Sequence, residues 1–255
     1  MTYDVIVAPD RELLTTWLAD ADRELAGLSD LASVRHRKVL ALGVLRSEDA
    51  FDRVSEYVTQ VLAVAADVPS AQSARDKMSE GLRELRKTGL TAAPDGDSPW
   101  FDAFGKVYEG ADEVRAASLA TAATYEKLED ARRILGQIAG DGGVNTLLVL
   151  RKNQAPVAMA AVRGMEESSK EIIIADLVAS PVYIAGGGTG VGSVAAEYVI
   201  REAKRRNASL SLIALGDKVR AIYTHWGFVG AGDSMSMSSA AMDQFLTTHK
   251  VLESQ

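Results

Sequence analysis

The sequence contains no cysteine, which excludes a disulfide framework, a cysteine-ligated zinc, an iron–sulfur cluster and a thiol nucleophile. Its three histidines, His36, His225 and His249, are scattered without metal-ligand spacing, so no metal site is expected. No apolar run approaches the about 18 residues of a membrane span. The opening MTYDVIVAPDRELLTTW carries acidic residues where a signal peptide has Lys or Arg. A cytoplasmic protein with no membrane partner is therefore expected. Excess positive charge is missing too: 28 Lys and Arg face 35 Asp and Glu, a formal net charge of -7. That is the wrong sign for neutralising phosphates over a broad surface, and no broad nucleic-acid surface is expected.

What is present is the composition of a globular chain, 255 residues with 47% hydrophobic and 25% charged content, enough for one large domain or two smaller ones. The charge is uneven. Residues 1–140 hold 17 Lys and Arg against 24 Asp and Glu, and residues 141–255 hold 11 of each, so the whole excess sits in the first part.

Residues 3–8, YDVIVA, read as a short strand ended by Pro9-Asp10. From Arg11 to about Thr88 the pattern is helical: Leu13, Leu14, Trp17, Leu18 and Ala21 form one apolar stripe, and Val54, Tyr57, Val58, Val61 and Leu62 another. Ser47-Glu48-Asp49 reads as a helix cap. The stretch 88–99, TGLTAAPDGDSP, has linker composition, which suggests a mostly helical region 1–98 and a second domain 99–255, with YDVIVA either the second domain's own first strand, residues about 30–99 being inserted as helices, or part of a separate N-terminal domain. A long helix over about 112–139 follows, ended by Gly140-Asp141-Gly142-Gly143. NTLLVL (145–150), APVAMAAV (155–162) and EIIIADLVAS (171–180) read as three strands of an antiparallel meander. A glycine cluster, an amphipathic helix ending Lys204-Arg205-Arg206, the strand LSLIAL (210–215), a helix over 217–226 and an edge strand over 234–238 complete the chain. Trp17, Trp100 and Trp226 read as core anchors.

The cluster AGGGTGVGS (185–193) lies between strand and helix, where glycine backbone N–H groups and a helix N-terminus can surround a phosphate. A P-loop needs a Lys after the glycines, and none occurs from 171 to 203. A dinucleotide fingerprint fits Gly190, Gly192 and Ala195 poorly, since the preceding strands read as hairpins and not as βαβ units. A turn that binds nothing also fits the cluster taken alone.

Gly190-Val191-Gly192 before an amphipathic helix, then a strand, then Tyr223-Thr224-His225-Trp226-Gly227-Phe228, resembles the GNAT superfamily of acyl-CoA-dependent N-acetyltransferases over about residues 140–233. Three departures stand out: Gly187 where the family's loop usually has Arg or Gln, about three extra residues within 182–186, and Gly216-Asp217 where Asn is common. The resemblance implies an α/β fold with a mixed, mostly antiparallel sheet flanked by helices, here with a large N-terminal helical portion. It implies acetyl-CoA as co-substrate, held by Gly187, Gly188, Thr189, Gly190, Val191, Gly192 and Ser193 and by the strand edge Leu177-Val178-Ala179. A backbone N–H near Val178 or Ala179 then polarises the acyl carbonyl, Tyr223 matches the acid that protonates the thiolate, and Asp176 is the candidate base. Tyrosine near 10 and an alkyl thiol near roughly 8.5 are close enough for that proton transfer. His225, two residues from Tyr223, is expected to face elsewhere.

The acceptor is expected to be a primary amine on a small cationic molecule or a protein. The alternatives are a toxin-like transferase acting on aminoacyl-tRNA or protein, which calls for a basic patch beside the cleft, and a degenerate fold that binds a partner. The oligomeric state is left open.

Overall fold

Among the described residues, six strands form one sheet in sequence order: β1 (Tyr3–Val7), β2 (Thr146–Lys152), β3 (Ala155–Arg163), β4 (Glu171–Ala179), β5 (Ser209–Ile213) and β6 (Ser234–Met237). Every neighbouring pair is antiparallel except β4 and β5. The computed structural model describes residues 3–7, 11–28, 30–66, 71–94, 98–141, 146–214, 216–249 and 251–252. The Pro9-Asp10 stop, the linker residues 95–97, residues 142–145 and Leu215 lie outside them. The helices are α1 (Glu12–Leu28), α2 (Asp30–Ala41), α3 (Phe51–Ala65), α4 (Gln72–Thr88), α5 (Pro99–Gly140), α6 (Pro181–Ala185), α7 (Val191–Arg206), α8 (Asp217–His225) and α9 (Ser239–Thr248). The class is the expected one, a mixed α/β fold with a mostly antiparallel sheet and a large helical part.

The chain divides into two compact units, one of Met1–Glu24 with Lys127–Gln255 and one of Leu25–Glu126. These bounds differ from a division at 98/99. β1 pairs with β2 from Tyr3↔Lys152 to Val7↔Leu148, and Asp4 forms an ion pair with Arg151 directly across the ladder. The first strand thus belongs to the sheet that most of the later chain builds. α1 is tied to the end of α5 by the Asp22–Arg132 ion pair and by Arg11 Nη1 donating to the Ala139 carbonyl at 2.9 Å. α5 itself starts at Pro99, earlier than its apolar pattern suggests, because Pro suits the first helical position and the Ser98 hydroxyl accepts from the Trp100 N–H at 3.3 Å.

In the sheet unit, β3 carries six consecutive buried residues, Val157 to Val162, which requires cover on both faces. On one face Leu148, Ala160, Val162, Ile172 and Ile174 pack with Ala196, Val199, Ile200 and Ala203 of α7 and with Met242 and Phe245 of α9. Each of the larger side chains buried here, Val, Leu, Ile, Met or Phe, contributes about 1.5–3 kcal/mol. α9 is absent from the sequence reading, though Ser238 caps it by accepting from the Ala241 N–H at 3.2 Å. The β2–β3 hairpin turns on Asn153 and Gln154, both with positive φ (50° and 70°), the two-residue geometry that matches strand twist.

The helical unit has its own core, with Val54, Val58, Val61, Met78, Leu85, Trp100 and Val107 buried together. The Ser47-Glu48-Asp49 cap is not formed. α3 starts at Phe51, and Asp49 instead accepts from the Arg46 N–H and pairs with Arg53.

Candidate functional site

The site begins with a defect in the sheet. β4 pairs with β5 only from Glu171↔Ser209 to Ile174↔Leu212, and beyond Ile174 no strand among the described residues lies beside that edge of β4. At the same point the β3–β4 register slips: Ala161 faces Asp176, Val162 faces Ile174, and Ala175 is the extra residue of a bulge. The Ser180 N–H donates to the Val157 carbonyl at 2.8 Å. Because successive residues aim their N–H groups at opposite edges, Val178 also faces β3, and the N–H groups of Leu177 and Ala179 face the open edge. Of the expected pair, Ala179 has the accessible N–H and Val178 does not.

The glycine cluster divides in two. Gly186, Gly187 and Gly188 close α6: their N–H groups donate to the carbonyls of Val182, Ile184 and Tyr183 at 3.0, 3.0 and 2.8 Å. The extra residues of 182–186 are this short helix. The N–H groups of Gly187 and Gly188, expected on the anion, are therefore already engaged. Gly188 is required because a Cβ would stand 2.2 Å from the Tyr183 ring, whose hydroxyl donates to the Thr189 carbonyl at 3.1 Å. The second half, Thr189 to Ser193, opens α7. Gly190 takes φ +81° at the cap, and the N–H groups of Val191, Gly192 and Ser193 have no carbonyl one turn earlier in the helix. The Val191 side chain is buried, so this residue offers backbone only.

A cavity of about 990 Å³ joins these features. Leu177, Ala179, Gly190, Gly192 and Ser193 line it together with Asp176 and Tyr223, so the structure brings both proton-transfer candidates beside the open edge and the α7 N-terminus. Burial, then the charge of Asp141, hold the Asp176 carboxyl above its ordinary 3.8, against the lowering effect of Arg133 and Arg163. The Tyr223 hydroxyl is pushed up to about 12, first by burial and then by the charge of Asp176. Its ring meets Trp226 and Phe228 edge to face at 5.4 and 5.8 Å, which fixes its direction.

Several lining residues carry no sequence signal. Arg133, Ile134, Gln137 and Gly140 fall on one stripe of α5, and Asp141 beyond its end pairs with Arg163 at 2.9 Å. His225 lines the same cavity, contrary to expectation, as does Trp226, while Trp17 and Trp100 are buried anchors as expected. His249 reaches the cavity from the end of α9, stacked on Phe245 at 4.2 Å.

A search of solved structures finds a mutant of the AtaT toxin bound to the C-terminus of the antitoxin AtaR, at 11% identity and a TM-score of 0.37, over 47% of this chain and 84% of that one. No family model and no curated protein matches.

The charges around the cavity are balanced, Arg133 and Arg163 against Asp141 and Asp176, with no basic patch among the described lining residues. Lys204, Arg205 and Arg206 are engaged elsewhere, pairing with Asp243 and Glu202 and, through Arg206, capping the Met165 carbonyl at 2.6 Å. No cluster of metal-ligating side chains occurs, and no helix is long and apolar enough to cross a membrane, among the described residues.

Proposed function

We propose that the chain is an acyl-CoA-dependent N-acyltransferase of GNAT type that acylates a primary amine by direct attack. The observation that carries this reading is the open edge of β4 beside the start of α7, with Asp176 and Tyr223 on the same cavity. The fit is chemical. The N–H groups of Val191, Gly192 and Ser193, left over at the start of α7, suit a pyrophosphate, and that of Leu177 on the open edge suits an amide of an extended arm. Acetyl-CoA supplies an activated thioester there.

In this reading the Asp176 carboxylate takes one proton from the acceptor ammonium, freeing its lone pair for the carbonyl carbon. The Ala179 N–H donates to the carbonyl oxygen as negative charge develops on it. The Tyr223 hydroxyl gives its proton to the departing thiolate and regains one from the new amide nitrogen, so one proton leaves through Asp176 per turnover. A hydroxyl near 12 is a weaker acid than the simple match of tyrosine to thiol implies. The gap narrows as the reaction proceeds, because the charge on Asp176 is one cause of the rise and disappears when Asp176 is protonated.

The test is thermal shift and calorimetry with acetyl-CoA, since a ligand at 100 times its Kd adds about 2.7 kcal/mol. Gly190→Asp would also strain a positive φ, so Gly192→Asp is the cleaner variant: its Cβ makes ordinary contacts, 3.6 Å to Leu177 and 3.8 Å to Trp226. A carboxylate in the first turn favours the helix by about 0.3–1 kcal/mol while repelling a phosphate. The expected result is an equally or more stable protein with acetyl-CoA binding abolished. Retained binding in the folded variant rules out this anion site. Tyr223→Phe should lower kcat by about 10²–10⁴ with acetyl-CoA affinity little changed. Screening amines, peptides and charged tRNA as acceptors separates the small-molecule and toxin-like readings. Absence of both binding and turnover leaves the partner-binding one.

A further inference from the structure

The cavity has a wall that proton transfer and anion binding do not use. Ile213 and Ile222 are 57% and 48% exposed, yet both line the concave surface, joined by Ile173 and Val219. Their places follow from the fold. Ile213 is the last residue of β5, just past the Ile174↔Leu212 pair where the strands part. It alternates with the buried Leu212, which puts it on the same sheet face as Ile173. On α8, Val219, Ile222, Tyr223 and Trp226 follow helical spacing (i, i+3, i+4, i+7), so the apolar stripe runs directly up to the tyrosine. Asp176 lines the same cavity as this wall and feels the charges of Asp141, Arg133 and Arg163, which line it too.

We propose that the acceptor is an amine with an aliphatic group on the carbon bearing it or on the next one, and that Ile173, Ile213, Val219 and Ile222 seat that group. The inference rests on the transferase reading. With the ammonium at Asp176, an aliphatic substituent near it has the isoleucine wall of the same cavity to pack on. A linear polyamine would leave that wall facing water and add a second ammonium to a cavity that already holds Arg133 and Arg163. A lengthened acyl chain is the competing occupant of the same surface.

The probes are leucinamide, glycinamide and spermidine, with binding to the protein followed by NMR titration and turnover measured with acetyl-CoA. Leucinamide is expected to bind at least about tenfold more tightly than glycinamide, the discrimination typical of an aliphatic pocket. Ile213→Ser and Ile222→Ser, at half-exposed positions where folding is checked by Tm, should each remove most of that advantage. Leu119→Ser, at an exposed position of the helical unit, should leave it intact. Equal binding of leucinamide and glycinamide, or a preference for spermidine, overturns the proposal even if acetyl-CoA binds normally. So does a preference for hexanoyl-CoA over acetyl-CoA that Ile222→Ser abolishes, which assigns the wall to the acyl chain. Failure to bind acetyl-CoA at all strikes the transferase reading, whereas the leucinamide titration still reads the wall directly.

Discussion

At the scale of single residues, Asp176 links stability to the proposed chemistry. Its carboxyl pKa is raised in the folded protein, so the native state binds this proton more tightly than the unfolded chain does. The resulting stabilisation is complete below the ordinary 3.8 and is lost as pH rises through the raised value. At pH 7 a half-buried charge is therefore a net cost. Asp176→Asn should melt higher than the native protein at pH 7, with the two curves converging below pH 4, while turnover falls by about 10²–10⁴. The pH–rate profile carries a second expectation. Activity should rise with ionisation of Asp176 and show no alkaline limb from Tyr223 below pH 10, because a hydroxyl near 12 keeps its proton throughout. An alkaline fall at pH 8–9 that Tyr223→Phe abolishes would contradict this. The identity of this pair was legible in the sequence, since Asp176 is an isolated acid in an apolar strand and Tyr223 sits in a recognisable motif. Their mutual influence was not, because it depends on a separation between β4 and α8 that no local pattern encodes.

At the scale of elements, glycine marks where helices touch. In the helical unit a Cβ on Gly81 of α4 would lie 2.7 Å from the Ala103 carbonyl, and one on Gly110 of α5 would lie 2.6 Å from the Ala74 carbonyl. Both obstacles are backbone, which cannot swing aside. Gly81→Ala and Gly110→Ala should each destabilise by about 1–3 kcal/mol through overpacking, despite the better helix propensity of alanine. Gly105→Ala, with open space around it, should stabilise by about 0.5–1 kcal/mol, and urea denaturation of the three variants checks the contrast. In the sheet unit, the fully buried Glu197 accepts from the N–H groups of Val251 at 2.9 Å and Leu252 at 3.1 Å, and Arg201 pairs with it at 2.6 Å while donating to the Leu252 carbonyl. Glu197→Ala should cost about 3 kcal/mol, the lower end for a broken buried pair because Arg201 keeps contact with water. Faster amide exchange at 251–252 is the local readout. Glycine and glutamate at these positions look ordinary in the sequence, whose helical periodicity tells which face is buried and not what it meets.

At the scale of the molecule, the division into units predicts how the chain can be cut. A truncation at Ser98 removes β1 and α1 and so breaks the sheet unit. A deletion of residues 25–126 that joins Glu24 to Lys127 through a short flexible linker respects it, since the Asp22–Arg132 pair already holds these two helices together. That variant should fold and give an acetyl-CoA thermal shift, while a fragment of residues 25–126 should be helical and give none. The units also share the charge. Residues 25–126 hold 12 Lys and Arg against 16 Asp and Glu, leaving 16 against 19 for the rest, so the acidic excess is not confined to the helical part.

By itself the sequence determined the types of the longer elements, α9 excepted, because period-2 and period-3.6 apolar patterns are local; the one-turn α6 was too short to show one. It determined the meander, from strands joined by short polar turns, and the missing chemistry, since absent cysteine needs no structure to interpret. It also pointed to the glycine loop and to Tyr223. Tertiary structure decided the rest. β1 joined strands more than a hundred residues later, a pairing set by the register of Tyr3↔Lys152 and no property of YDVIVA alone. The bulge at Ala175 and the parting of β4 from β5 turned the Ala179 N–H, and not that of Val178, to the open edge, since which edge an N–H faces depends on the neighbouring strand. α6 consumed the first glycines, and α5, α8 and β5 assembled the cavity wall, because side chains remote in sequence become one surface only when the sheet and its helices pack.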